Sequence, residues 1–312
     1  MRLPRRYNIA NLAKALRNPG LLYVEGRRLG LLANAAYSRI GTRETCDVVE
    51  EDWDTLVILD GCRYDLFNDV HHLKGRLESR TSAGSESWEY LRENFEGRKL
   101  EDTVYITANP HAPKLPANTF HYRRNLLTDR WDDDLKTVTP KVMTEEALAV
   151  HEEYPDKRLI VHYMQPHFPF IGEVGQEISH TGVSMDGQPD DAPHVWSALR
   201  DKKLDVDRGL VYDAYQENLE LTLPHIKRLI DTLDGKSVVT ADHGNLVGER
   251  TYPIPVRGYG HPRGFHTPEL VKVPWLVIEG GQRREIRSES APKSESMESS
   301  VVEDRLADLG YQ

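Results

Sequence analysis

Two short apolar runs constrain this chain more than anything else in it, because each stops abruptly in charged residues. One reads Leu56-Val57-Ile58-Leu59 and continues Asp60-Gly61-Cys62-Arg63-Tyr64-Asp65; the other reads Ser237-Val238-Val239-Thr240 and continues Ala241-Asp242-His243-Gly244. Apolar, β-branched runs of this length have the composition of buried strands. Open α/β sheets place their ligand sites just beyond the C-terminal ends of such strands. Asp60 and Asp242-His243, delivered to one sheet edge, would form an O,O,N set suited to a divalent cation. Gly244 lets the backbone turn sharply or approach a ligand closely. Taken singly, each run is equally a strand followed by a polar turn with Asp as a cap. The match between the two is what points to a site.

The intervening chain alternates strand and helix signals. Thr103 to Ala108 and Leu159 to Met164 read as further strands, and Thr139-Pro140 opens a helix that runs through Glu153. Leu219, Leu223, Ile226, Ile230 and Leu233 share one face of a helix expected over Tyr215 to Leu233, with Pro224 as its kink or true start. That order predicts an α/β fold: a doubly wound, mostly parallel sheet flanked by helices, with a helical N-terminal extension. A chain of 312 residues accommodates one such core. The expected layout is a basic helical extension over 1–45, a catalytic domain over 46–280, a Ser/Glu-rich disordered linker over 281–300 and a short helix over 301–312. The extension holds helical stretches at 7–18 and 21–38. Residues 129–136 read as a solvated loop, and 172–210 as a long surface insertion that covers the site and selects substrate.

Charge sharpens the picture. The net charge is −10, yet residues 1–43 hold nine Lys/Arg against Glu25 alone, a local +8 that leaves −18 on the rest. An acidic body excludes a nucleic-acid binder. The basic segment leaves open a peripheral contact of residues 1–43 with an anionic membrane, beside the plainer reading of a helical pair with its basic face in water. Two cysteines, Cys46 and Cys62, are too few for a disulfide scaffold. With no secretory h-region and no apolar run near the ~20 residues that span a bilayer, a cytoplasmic or membrane-peripheral protein is expected.

The stretch Ser79 to Phe95 adds a hydroxyl. Small residues lead to Ser85-Glu86-Ser87, and a helical pattern follows at Trp88, Leu91 and Phe95. A hydroxyl at a helix start is either an N-cap or a group activated at the positive helix end. Pattern alone does not separate the two.

On these residues the chain, from about residue 53 onward, resembles the alkaline phosphatase/sulfatase superfamily. The resemblance implies that Asp60, Asp242 and His243 hold a catalytic divalent ion, zinc first, with calcium and manganese as alternatives. Gly84-Ser85-Glu86-Ser87 looks like the Gly-Thr-x-Thr of phosphoethanolamine transferases, which makes Ser87 the nucleophile and Ser85 the second choice. Pro166-His167-Phe168-Pro169 is similar to the family's Pro-His-x-Pro, so His167 would contact the transferred group. His261 falls where a relative's His or Lys reaches the site, with His266 as a weaker substitute. Arg63 would assist, or else bridge to Asp65. The Cys-x-Pro-Ser-Arg sulfatase signature is absent, since Cys62 lies in Cys-Arg-Tyr-Asp beside the metal carboxylate. Asp65, Glu86 and Glu249 are candidates for a further ligand; His162 reads as a core histidine, and His111 is given no chemistry.

The function implied is a metal-dependent hydrolase or group transferase that acts on a small-molecule or glycan/lipid phosphate or sulfate ester. The alternatives are a non-catalytic partner module, and a membrane-peripheral phosphoryl transferase in envelope glycan or lipid modification.

Overall fold

The computed structural model describes residues 17–40, 43–182, 195–200 and 206–290. All but the last two residues of the helical stretch expected at 7–18, the second half of the linker and the closing helix at 301–312 lie outside the described residues. Among the described residues of the N-terminal extension lies one long helix, α1 (Pro19–Ser38), which the Asn18 side chain caps by accepting from Gly20 N.

Strand β1 (Thr55–Asp60) is buried at every position, as a strand at the centre of a parallel sheet must be. It is followed by α2 (Tyr64–Val70), the edge strand β2 (Arg76–Thr81), α3 (Ser87–Phe95), β3 (Leu100–Thr107), β4 (Phe120–Asn125), α4 (Pro140–Glu153) and β5 (Arg158–Pro166). Then come α5 (Glu173–Gly182), α6 (Val195–Arg200), α7 (Arg208–Thr232), β6 (Lys236–Ala241), β7 (Leu246–Arg250), β8 (Arg257–Gly260), α8 (Pro268–Val271) and β9 (Lys272–Glu279). The main sheet has seven strands in the order β2-β9-β6-β1-β5-β3-β4, and β7 and β8 form a separate hairpin. β1 pairs in parallel with β5 and β6, and β3 in parallel with β5 and β4. Only β9 runs antiparallel to its neighbours β6 and β2.

The two-residue period of the strands sorts the core into two layers. Val57, Leu59, Val104, Ile106, Leu159 and Val161 pack with Phe67 of α2, Met143 and Ala147 of α4, and Leu219 and Ile226 of α7. Leu56, Ile58, Tyr105 and Ile160 pack on the other face with Tyr90, Leu91 and Phe95 of α3. The sheet is therefore covered on both sides, and the C-terminal ends of β1, β6, β5 and β3 meet along one edge.

Three expectations need correction. α7 begins at Arg208, well before Tyr215, and Pro224 does not start it but lies inside. Pro224 and Glu220 both face solvent, so the carbonyl left without a donor by proline is hydrated. Strands β2 and β4 are absent from the sequence reading because RLESRT and FHYRRN are charged edge strands, without the apolar run that marks an inner one. The first half of the expected linker is anchored: Arg283 pairs with Asp52 and Asp54, Lys157 Nζ donates to Arg287 O, and Glu289 N donates to Glu101 O.

Candidate metal centre and active site

The end of β1 and the end of β6 are adjacent by register, since Leu59 pairs with Ala241. The next residues, Asp60 and Asp242-His243, are thereby forced together, all fully buried. Among the described residues they form the one three-member group of metal-ligand type, with ligand atoms within 4.8 Å of one another. His243 Nε2 lies 3.6 Å from Asp60 Oδ1 and 3.5 Å from Asp242 Oδ2. Gly61 takes φ +65°, which turns the chain immediately after Asp60 and lets its N–H donate to Asp242 Oδ1 at 3.0 Å. Gly244 sits where any Cβ would lie 2.1 Å from Glu269 O, so only glycine permits the second turn.

Hydrogen bonds fix the tautomer of His243. Its Nδ1 faces Gly244 O at 2.7 Å, and a carbonyl only accepts, so Nδ1 carries the proton. Nε2 therefore presents a lone pair to the two carboxylates. Asp60 Oδ1 and Asp242 Oδ2 are buried without a hydrogen-bond partner. Burial, then the charge of Asp242, pushes the Asp60 carboxyl well above the usual carboxylate range. Burial acts the same way on Asp242, but His243, His162 and the Gly61 N–H outweigh it and hold that group below its usual range. Two orphaned carboxylate oxygens beside an unprotonated imidazole nitrogen, away from water, fit a divalent cation.

α3 supplies the hydroxyl. Glu86 is its N-cap, accepting from Trp88 N at 2.9 Å and Glu89 N at 2.7 Å. Ser87 is thus released from capping, and its Oγ lies 3.2 Å from His243 Nε2 and 3.4 Å from Asp60 Oδ2. Ser85, the second choice for the nucleophile, makes other contacts. Its Oγ donates to Glu89 Oε2 at 2.8 Å and accepts from Gly264 N at 2.7 Å and Phe265 N at 3.3 Å, which ties α3 to the loop after β8.

Two further histidines close over the cluster. His167 follows β5 in the turn Pro166–Pro169, which Asn218 of α7 clamps by donating to the carbonyls of Pro166, His167 and Pro169 at 3.2, 3.1 and 3.0 Å. His261 follows β8, with its ring centroid 4.6 Å from that of His243 and 4.8 Å from that of His167. The Nε2 atoms of His167 and His261 are 2.9 Å apart. His167 Nδ1 faces Phe168 O at 2.6 Å and so holds that ring's proton. In the neutral pair, His261 Nε2–H is therefore the donor between them.

Arg63 is a bridge, not a member of the cluster. It grips Asp65 at 2.8 and 2.5 Å and Glu249 at 2.7 Å, and these partners outweigh burial and raise its pKa. Asp65 and Glu249 are committed to Arg63, and Glu86 to the α3 cap, so none of the three joins the ligand group. His266 pairs with Glu89 at 3.1 Å. His162 departs from a plain core histidine: Tyr105 OH meets its Nδ1 at 2.8 Å, while Nε2 lies 3.7 Å from Asp242 Oδ2. The sequence reading missed Asn109, just past β3, which donates to Asp60 Oδ2 at 2.9 Å. The only local signal for it was a polar residue at the end of an apolar strand. Asn218 gave no signal at all, being one polar residue on a long helix.

No sequence profile of a known family matches the chain, and no curated protein does. Solved structures do. The C-terminal periplasmic domain of phosphoethanolamine transferase EptC from Campylobacter jejuni is 14% identical with a TM-score of 0.45, over 72% of this chain and 78% of that one. The corresponding periplasmic domain from Escherichia coli, in complex with Zn, is 14% identical with a TM-score of 0.44, over 76% of each chain. A putative sulfatase from Bacteroides thetaiotaomicron is 10% identical with a TM-score of 0.46, over 74% of this chain and 65% of that one. The likeness is to the mostly parallel, helix-flanked sheet of these structures. At these identities it concerns the fold. The cytoplasmic location expected above does not stand, because the two transferase structures are periplasmic domains. Among the described residues no helix is long and apolar enough to cross a membrane.

Proposed function

We propose that the chain is a metal-dependent enzyme that moves a phosphoryl or sulfuryl group from an ester to water or to an acceptor hydroxyl through Ser87. The observation that carries this reading is the Ser87 hydroxyl, freed from capping by Glu86 and held against Asp60 and His243 beside two orphaned carboxylate oxygens. A divalent ion held by Asp60, Asp242 and His243, zinc first and calcium or manganese as alternatives, would lower the pKa of that hydroxyl and neutralise charge on the ester oxygens.

The residues themselves divide the remaining work. Ser87 Oγ bonds to phosphorus or sulfur as the leaving oxygen departs, and its proton passes to Asp60 Oδ2, the carboxylate oxygen it already faces. The positive end of α3 stabilises the anion that forms. His167 and His261 would stabilise the non-bridging oxygens or protonate the leaving oxygen, once the ester takes the place of the Nε2–Nε2 hydrogen bond between them. Water or an acceptor hydroxyl then attacks the covalent intermediate, gives up its proton to the vacated imidazole, and Ser87 leaves as the hydroxyl. Asn109 keeps Asp60 Oδ2 oriented so that Oδ1 faces the cluster. The substrate class is a small-molecule or glycan/lipid ester, with no nucleic acid as partner.

The test measures metal content by elemental analysis together with turnover of aryl phosphate, bis-aryl phosphate and aryl sulfate. Stoichiometric metal that disappears in Asp242→Ala, with turnover lost in Ser87→Ala, is the expected result. Metal without turnover of any ester would favour a non-catalytic partner module. Protein that takes up no metal even after reconstitution would sink the site.

A further inference from the structure

α1 has two unlike sides. Gly30 and Asn34 are buried, Leu31 and Ala35 pack on Leu246, Phe265, Leu270 and Val271, and Asn34 Nδ2 donates to Thr251 Oγ1 and Ile254 O, each at 2.7 Å. The opposite side follows helical spacing through Leu22, Gly26, Leu29, Ala33 and Ala36, is continued by Ile40 just past the helix, and carries no charge. Leu22, Leu29 and the flanking Leu32 are 44%, 48% and 53% exposed, and Ile40 77%. Tyr37 and Tyr252 meet edge to face at 5.7 Å and extend this surface over the loop beneath, both largely exposed. A water-facing helix side is normally polar, so a continuous apolar one marks a contact surface.

The charge around it selects the occupant. The sixteen residues that precede Arg17, at the start of α1, hold Arg2, Arg5, Arg6 and Lys14 and no acid. At the other end Arg39 and Arg43 donate to backbone carbonyls of Gly264, Ser38 and His266. A chain with −10 overall would be repelled by an anionic bilayer unless its cations were gathered on the side that lands.

We propose that the outward side of α1 docks on an anionic lipid surface and sets the active site at that surface. Arg39 Nε donates to Gly264 O at 2.9 Å, and Gly264 N donates to Ser85 Oγ at 2.7 Å, so the helix is tied to the loop that carries His261 and to the segment that carries Ser87. An ester presented at the bilayer would then meet the site at that surface. The docking surface does not depend on the chemistry proposed above; it decides where that chemistry occurs.

Co-sedimentation of the full chain with vesicles tests it, using phosphatidylcholine alone and phosphatidylcholine with phosphatidylglycerol. Binding to the anionic vesicles is expected to be at least about tenfold stronger, to fall with rising salt, and to drop about tenfold in Leu29→Glu/Leu32→Glu. Aryl ester turnover and melting temperature of that variant stay unchanged, which separates loss of docking from loss of the site. Removal of residues 1–16 should weaken vesicle binding; stronger binding would mean that segment covers the surface, and would overturn the proposal. Equal binding to both vesicle types, no effect of the double substitution, or a dimer that the double substitution dissociates would each overturn it too.

Discussion

Two buried aspartates on one strand divide the molecule. Asp54 stands just before β1 and Asp60 at its end; they are 1% and 0% exposed. At the Asp54 end the carboxylate is engaged: Oδ2 accepts from Lys236 N at 2.7 Å and Arg283 Nε at 2.5 Å, and Arg284 reaches the Asp54 carbonyl and Thr55 Oγ1. At the Asp60 end the same residue type keeps Oδ1 without a partner, beside Asp242 Oδ2 and His162 Nε2 in the same condition. Since an unmet buried carboxylate costs stability, the difference teaches which end is built to take a ligand and which is built to hold the sheet together.

The sharpest way to break the comparison is to remove the reacting group. Ser87→Ala should lower aryl ester turnover by about 10⁴-fold or more, while Ser85→Ala, two residues away, should leave turnover within about tenfold and cost about 1 kcal/mol of stability read by urea melts. Equal losses in the two variants would contradict the assignment of nucleophile and latch.

Removal of the two aspartate charges should act in opposite senses on metal-free protein. Asp54→Ala should destabilise by about 2 kcal/mol, because it strands the Lys236 N–H and the Arg283 guanidinium. Asp60→Asn should leave chelator-treated protein as stable as the parent or more so, by relieving repulsion with Asp242, and should abolish metal uptake. A destabilised Asp60→Asn apoprotein would mean that Asp60 is structural, like Asp54.

Smaller effects follow for the groups that support each end. His261→Gln should reduce turnover by about 10²-fold with metal content unchanged, as measured by elemental analysis. Asn109→Ala should weaken metal affinity by about tenfold or more, read by chelator competition, because the orientation of Asp60 is lost.

The smallest effect is on stability against pH. Burial, then Lys114, lowers His111 from 6.5 to about 3, and burial, then Arg284, lowers His151 to about 4. The folded state thus binds fewer protons than the unfolded chain below pH 6.5. Stability is fully present above 6.5 and is lost as pH falls toward 4 and then 3. His151→Gln should reduce the loss between about pH 6.5 and 4, and His111→Gln should reduce it over that range and also remove the part between about 4 and 3, as followed by melting temperature across pH.

The sequence by itself determined the metal-type cluster. Asp-Gly and Asp-His-Gly directly after apolar strands are local signals, and the parallel register of β1 and β6 leaves them no arrangement but to meet. The helix over 140–153 was legible for the same reason, with Thr139 as cap and Pro140 at its first position. Only the tertiary structure decided the contacts of the two serines, because Ser85 is claimed by Gly264 and Ser87 by His243, partners 179 and 156 residues away. Arg63 was likewise settled by Glu249 across 186 residues, and the proton between His167 and His261 by a contact spanning 94. Helix caps, ion-pair choices and imidazole tautomers are competitions among neighbours, and the neighbours exist only once the sheet has brought distant segments together.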